Sequence, residues 1–239
     1  MNRFTIQLDE IKAAYETEPH PSIEVRLERI GRIEKMIKAN EEKLCKVLTA
    51  DFGVRHPAES YLAEFQMVYQ ACKFVRKHLK DWMKPVQMET PSYLSSSEAW
   101  IESQSIGVVG IISPWNYPVQ LALLPAISAF AAGNRVWLKP SERSSRTSGF
   151  LASLIQEYFH PTEFCVSTGG EDVAEHDAGK WINARRINRQ RVFRVFCLVV
   201  EDMERGGVLN AGRLAHFYGR QQGFFKESFT QHHQARNVA

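Results

Sequence analysis

None of the four cysteines, Cys45, Cys72, Cys165 and Cys197, has another within three residues. Neither a zinc site nor a disulfide framework is therefore expected, and each reads as a buried thiol. Long apolar runs are also missing. The longest, 121–133, is interrupted by Pro125 and falls short of the roughly 20 residues that cross a bilayer. The start, MNRFTIQLDEIK, carries charges where a cleavable signal has its apolar core, so a cytoplasmic location without a membrane partner is expected. Nor does one sign of charge dominate: 30 basic and 27 acidic side chains leave a net of +3, which selects no class of partner. His232-His233 has no further ligands beside it, so no metal is expected. The hydrophobic share of 44% and charged share of 24% are those of an ordinary globular protein.

Against this plain background one stretch stands out, GVVGIISPWNYPVQLALLPAISAFAAGNRVWLKPSE from Gly107 to Glu142. Val108 to Ser113 is rich in β-branched residues and free of charge, as a strand buried on both faces of a parallel sheet should be. Val119 to Ala132 is long enough for a helix, with Gly133-Asn134 as its stop. Arg135 to Leu138 is the next strand. Ligands bind beyond the carboxyl ends of strands in such βαβ units. The two loops there, Ser113-Pro114-Trp115-Asn116-Tyr117-Pro118 and Lys139-Pro140-Ser141-Glu142, bring an amide, an indole, an ammonium and a carboxylate to one sheet edge. Read without their neighbours, Lys139 and Glu142 are a solvated turn.

The rest of the chain up to residue 176 supports this unit. Leu8, Ile11, Ala14 and Tyr15 share one face of a helix over 7–17, which Pro19 and Pro21 end. Ser22 caps a second helix that closes at Gly53 and carries Ile23, Leu27, Ile30, Ile33, Ile37, Leu44, Val47 and Leu48 as its stripe. Pro57 opens a third, with Leu62, Phe65, Val68, Cys72, Val75, Leu79 and Trp82 inward. The charges between these positions read as wet faces. Residues 86–94 and 99–105 alternate about Ser95-Ser96-Ser97 as a hairpin would. Ser144 or Ser145 caps a helix through Tyr158, and Phe164 to Ser167 is a third strand. Thr168-Gly169-Gly170 follows it, and a glycine pair between strand and helix lets backbone approach a phosphate.

The run Ile112 to Pro118, followed one helix later by Lys139 to Glu142, resembles the aldehyde dehydrogenase superfamily, nearest to its coniferyl-aldehyde and fatty-aldehyde-type branch. The resemblance covers about 1–176 and implies an α/β fold. This would be a truncated Rossmann-like NAD-binding half, with a helical segment at 1–85, a hairpin arm at 86–106 used in homo-oligomer contacts, and a partial βαβαβ at 107–176. It implies that Asn116 donates to the aldehyde oxygen as it becomes an oxyanion. It assigns Ile112, Ser113, Pro114, Trp115, Lys139, Ser141, Glu142, Gly169 and Gly170 to the cofactor. Glu142 beside the ribose would repel a 2′-phosphate, favouring NAD over NADP. The complete enzyme would oxidise a small-molecule aldehyde to a carboxylic acid.

Beyond residue 176 the resemblance ends. Residues 1–176 hold 10 Lys and 9 Arg against 22 acids, a net of −3; residues 177–239 hold 2 Lys and 9 Arg against 5 acids, a net of +6. The family's FTGST-like loop, its ELGGK-type segment with the general base, and its cysteine nucleophile are not found. Asn210-Ala211-Gly212-Arg213 echoes the residues before that cysteine, but Ala215 stands in its place. Without a thiolate the reaction has no covalent step, so the chain is expected to be inactive. Out-of-frame translation of a tail that is disordered or non-native accounts for the break most economically. Two alternatives stay open: a non-enzymatic remnant that binds nucleotide or pairs with a full-length homologue, and an RNA binder through Arg185, Arg186, Arg189, Arg191 and Arg194 interleaved with Phe193 and Phe196.

Overall fold

A computed structural model describes residues 3–90, 92, 97–170 and 173, with the backbone alone for 3–5 and 196–200. The chain divides into units Met1–Glu201 and Asp202–Ala239, and every described residue lies in the first. The basic strip, the Asn210 echo, His232-His233 and the out-of-frame reading of the tail fall outside the described residues, apart from the 196–200 backbone.

Helix α1 (Arg3–Thr17) ends before Pro19. Helix α2 (Ile23–Phe52) begins and ends where its punctuation dictates. Ser22 Oγ accepts from Val25 N, and Gly53, at φ 78°, donates its N–H to Thr49 O. Midway, Asn40 leaves helical geometry and its amide donates to Met36 O. Pro57 opens the next helix, but that helix is not uniform. Helix α3 (Pro57–Ser60) passes into a π turn (Tyr61–Phe65) before α4 (Gln66–Trp82).

The π turn corrects the expected stripe. Leu62 is 63% exposed, while Phe65, Val68, Cys72, Val75 and Leu79 are buried. A π turn holds an extra residue, so positions before it are rotated relative to those after it. Not all the charges are wet either: Arg26, Arg29, Arg55 and Glu64 are buried.

Strands β1 (Val86–Met88) and β2 (Ala99–Ile101) pair antiparallel, Val86 opposite Ile101 and Met88 opposite Ala99. Among the described residues the pairing runs three residues a side, and Ser95-Ser96 at the expected tip lie outside the described residues. Then come β3 (Val108–Ile112), α5 (Pro118–Ala131), β4 (Arg135–Lys139), a 3₁₀ turn (Glu142–Ser144), α6 (Ser145–Tyr158) and β5 (Phe164–Val166). These strands form a parallel sheet in the order β5-β4-β3. A further strand, β6 (Phe196–Val200), pairs antiparallel with β3, Gly110 opposite Leu198. No strand period announced it. Five apolar or β-branched residues suffice to pair along an open edge.

Alternation along the strands assigns each face of the sheet. Val108, Trp137 and Cys165 lie against Leu8 and Ile11 of α1. On the opposite face Phe164 meets Phe130 and Phe159, with ring centroids 5.6 and 5.3 Å away. Each fully buried ring contributes about 2–3 kcal/mol. Helix α5 closes at Gly133, whose φ of 85° excludes most side chains and where a Cβ would lie 2.9 Å from the Arg26 guanidinium. Arg26 in turn donates to Pro21 O and Ala131 O. A buried charge here ties α2 to the end of α5.

Candidate functional site

Because the three strands are parallel and adjacent, their carboxyl ends lie along one edge of the sheet. Backbone bonds hold those ends in step: Ser113 N donates to Lys139 O at 3.1 Å, and Ser167 N to Leu138 O at 2.9 Å. Trp137 Nε1 donates to Ser167 Oγ at 2.7 Å, tying the middle strand to the loop after β5. The loops carrying Ile112, Ser113, Pro114 and Trp115, then Lys139, Ser141 and Glu142, and then Gly169 and Gly170 therefore emerge together.

Lys139 is almost fully buried, yet its Nζ reaches Glu142 Oε2 at 2.9 Å, and Glu142 is open to solvent. The hydrogen bond from Lys139 holds the Glu142 carboxyl below the usual carboxylate range. Ser141 Oγ accepts from Arg143 N and shapes the turn between them. Ser113 Oγ is buried without a partner among the described residues. Trp115 is 44% exposed. Asn116 is half-buried, and no hydrogen bond of its amide occurs among the described residues. Gly169 packs so close to Val173 that a Cβ would collide with it.

The first loop rests on residues far away in sequence. Tyr117 stands at the N-cap of α5 and offers the helix no side-chain bond. Glu64 takes that role instead: its Oε2 accepts from Val119 N at 3.0 Å and Gln120 N at 2.8 Å. A carboxylate there also meets the positive end of the helix dipole. Arg55 Nη1 lies 3.2 Å from Glu64 Oε1, and its guanidinium sits 4.7 Å from the Phe52 ring and 5.0 Å from the Tyr117 ring. Phe52 stacks on Trp115 at 6.2 Å. Burial pushes the Glu64 carboxyl up to about 7, against the opposing pull of the Gln120 and Val119 N–H groups and of Arg55.

The second loop has a similar support. Neither Ser144 nor Ser145 caps α6, as the sequence suggested; Ser144 makes no cap bond. Its hydroxyl instead contacts Ser141 O and Ser148 Oγ. The cap is Asp51 at the end of α2, whose Oδ1 accepts from Arg146 N at 3.1 Å and Oδ2 from Thr147 N at 2.7 Å. Sequence reasoning missed Arg55, Glu64 and Asp51. One signal was available: Pro118 follows Tyr117, a poor cap, so the first N–H groups of α5 need an acceptor from elsewhere.

Of the cysteines, Cys72 and Cys165 are buried and Cys45 half-buried. Burial, more than the nearby Glu34, pushes the Cys72 thiol up to about 12, so it is no nucleophile at neutral pH. Among the described residues no group of acids, histidines and cysteines could hold a metal. No helix there is long and apolar enough to cross a membrane.

Residues 7–179 match the profile of the aldehyde dehydrogenase family. Over 166 residues the chain is 39% identical to a coniferyl aldehyde dehydrogenase of Pseudomonas sp. (strain HR199 / DSM 7063), covering 70% of this chain and 34% of that one. It is 34% identical to a 4,4'-diaponeurosporen-aldehyde dehydrogenase of Staphylococcus aureus, covering 71% and 37%. A solved structure described as the substrate-bound state of Staphylococcus aureus AldH superposes with a TM-score of 0.70 at 32% identity, covering 74% of this chain and 38% of that one. A glyceraldehyde-3-phosphate dehydrogenase GapN from Methanocaldococcus jannaschii, complexed with NADP, shares the fold at a TM-score of 0.58 and 20% identity, covering 72% and 38%. The chain spans about a third of the length of the curated relatives it matches.

Proposed function

The chain belongs to the aldehyde dehydrogenase family, and we propose from that premise that it is the nucleotide-binding half of an NAD(P)-dependent oxidation of aldehydes to acids. The convergence of the Trp115-Asn116, Lys139-to-Glu142 and Gly169-Gly170 loops on one sheet edge carries the reading. The donor set fits a dinucleotide. Lys139 offers a buried ammonium with donors to spare beyond its bond to Glu142, and Glu142 offers an exposed acceptor, a pair suited to ribose hydroxyls. Ile112 to Trp115 would line the nicotinamide side, with Ser113 Oγ as a buried donor lacking a described partner. Ser141 shapes the ribose turn. Gly169, packed against Val173, and Gly170 would offer backbone N–H groups to the pyrophosphate. When bound, the nucleotide supplies the hydride acceptor.

Asn116 is the oxyanion donor in this reading. Its amide is unengaged among the described residues and half-buried, so it is available where charge develops on an aldehyde oxygen. The Glu142 carboxylate favours NAD over NADP by charge repulsion with a 2′-phosphate. The family's base and nucleophile have no counterpart after residue 176, so the chain itself is expected not to turn over. Aldehyde-dependent NADH production by the pure chain, abolished by Asn116→Ala, would overturn that expectation.

Calorimetric titration with NAD and NADP tests the binding claim. NAD should bind more tightly than NADP, Lys139→Met should weaken both, and Glu142→Gln should narrow the difference. Absence of binding by either nucleotide would sink the proposal. The exposed Val86, Met88, Trp100 and Ile101 on the hairpin support a homo-oligomer built through that arm. Sedimentation should find Trp100→Glu shifted to lower mass than the parent chain.

A further inference from the structure

We infer that Glu64, braced by Arg55, is a positioning residue that sets the loop presenting Asn116. The inference rests on the oxyanion role proposed for Asn116. Four observations place Glu64 there. It is fully buried, although a carboxylate is costly to bury. It lies within the π turn Tyr61–Phe65, the one departure from α geometry between Pro57 and Trp82, and such turns are frequent at functional sites. Its Oε2 takes both of the first free N–H groups of α5, from Val119 and Gln120. Its other oxygen faces Arg55, whose guanidinium lies against the Tyr117 ring one residue from Asn116.

Asn116 stands two residues before Pro118, where α5 begins. Proline fixes the entry dihedral of the helix, so the direction in which the first turn is held becomes the direction in which the loop leaves. Phe52 adds a second constraint by stacking on Trp115. The charged groups around Glu64 are Arg55 from the segment between α2 and α3, Glu59 from α3, and the partial positive charge of the α5 N-terminus. Arg55 and the helix end favour the ionised carboxyl; burial and Glu59 oppose it.

Asn116 should therefore respond to the charge on Glu64. The test is made on the full-length chain without nucleotide, by NMR of the Val119 and Gln120 backbone amides and the Asn116 side-chain amide between pH 5 and 9. In the parent chain all three should titrate together, with one midpoint near the carboxyl value of about 7. Glu64→Gln should abolish that shared midpoint while the melting temperature and the β5 amides stay close to those of the parent. Glu64→Ala should displace the Asn116 signals at every pH, and the Gln variant should restore them toward the low-pH parent position.

A merely structural role would lower the melting temperature in both variants and leave Asn116 with no titration near neutrality. That outcome overturns the inference. So does an Asn116 signal that titrates unchanged in Glu64→Gln. Because no nucleotide is present, the result is independent of whether NAD binds. Shared titration together with absent NAD binding would retain Glu64 as the positioner of the loop and remove the cofactor reading instead.

Discussion

Replacing Glu163 by Gln should cost about 2 kcal/mol of stability at neutral pH, and the cost should shrink in acid. Glu163 Oε1 accepts from Arg29 Nε at 3.1 Å and Arg32 Nη2 at 3.0 Å, and its Oε2 from Arg32 Nη1 at 2.8 Å. The carboxylate thus clips α2 to the start of β5. Burial alone would raise its pKa. The hydrogen bonds and charges of Arg32 and Arg29 outweigh that and hold it at about 2, against 4.5 for an ordinary glutamate. The difference of about 2.5 corresponds to roughly 3.4 kcal/mol at about 1.4 kcal/mol per unit. Solvent reaches 18% of the side chain, which lowers the expected contribution to about 2 kcal/mol.

The folded value is depressed, so the stabilisation is full above the unfolded value of 4.5 and fades as pH falls toward about 2. Urea unfolding of parent and Glu163→Gln at pH 7 and pH 3 measures this. The gap should be about 2 kcal/mol at pH 7 and roughly half that or less at pH 3. A gap of equal size at both would refute the ionic origin and leave only lost packing. Arg29 keeps Glu18 and Arg32 keeps Glu28 in the variant, so the loss should stay below the roughly 3–5 kcal/mol of a fully stranded buried charge.

Two further outcomes follow from the helix ends. Asp51→Ala removes the acceptor for Arg146 N and Thr147 N and should cost about 1–2 kcal/mol. Hydrogen exchange should accelerate at the first turn of α6 more than at its centre. Gly133→Ala forces a side chain onto a φ of 85° and against the Arg26 guanidinium; it should lower the melting temperature more than Gly149→Ala, where a Cβ meets nothing within 4 Å.

Much of the scaffold was legible because its signals are local. Ser22, Gly53, Pro57, Pro118 and Gly133 punctuate helices through their own backbone preferences, and the charge-free run at Val108 can be little other than a buried strand. What escaped depends on distance. Arg26 and Glu64 look like solvated charges in sequence because their partners, Ala131 and Val119, lie 105 and 55 residues away. The π turn escaped for a related reason. Tertiary demand on Glu64, rather than a local breaker, accompanies the extra residue, and Leu62 was carried outward with the change of phase. The loops of the candidate site were found by motif, whereas the residues beneath them required coordinates.

Both helices that flank the candidate site borrow their caps from segments made earlier in the chain. Glu64 reaches α5 across 55 and 56 residues, and Asp51 reaches α6 across 95 and 96. Closing loops of that length carries an entropic cost that grows only slowly with length, but contacts so remote slow the search for the native state. During synthesis the acceptors would emerge first and wait for their donors. A gene fragment starting at Gly107 would therefore encode strands and helices whose first turns have lost their acceptors. A fragment keeps both caps only if it retains Asp51 and Glu64, and so the chain from α2 onward.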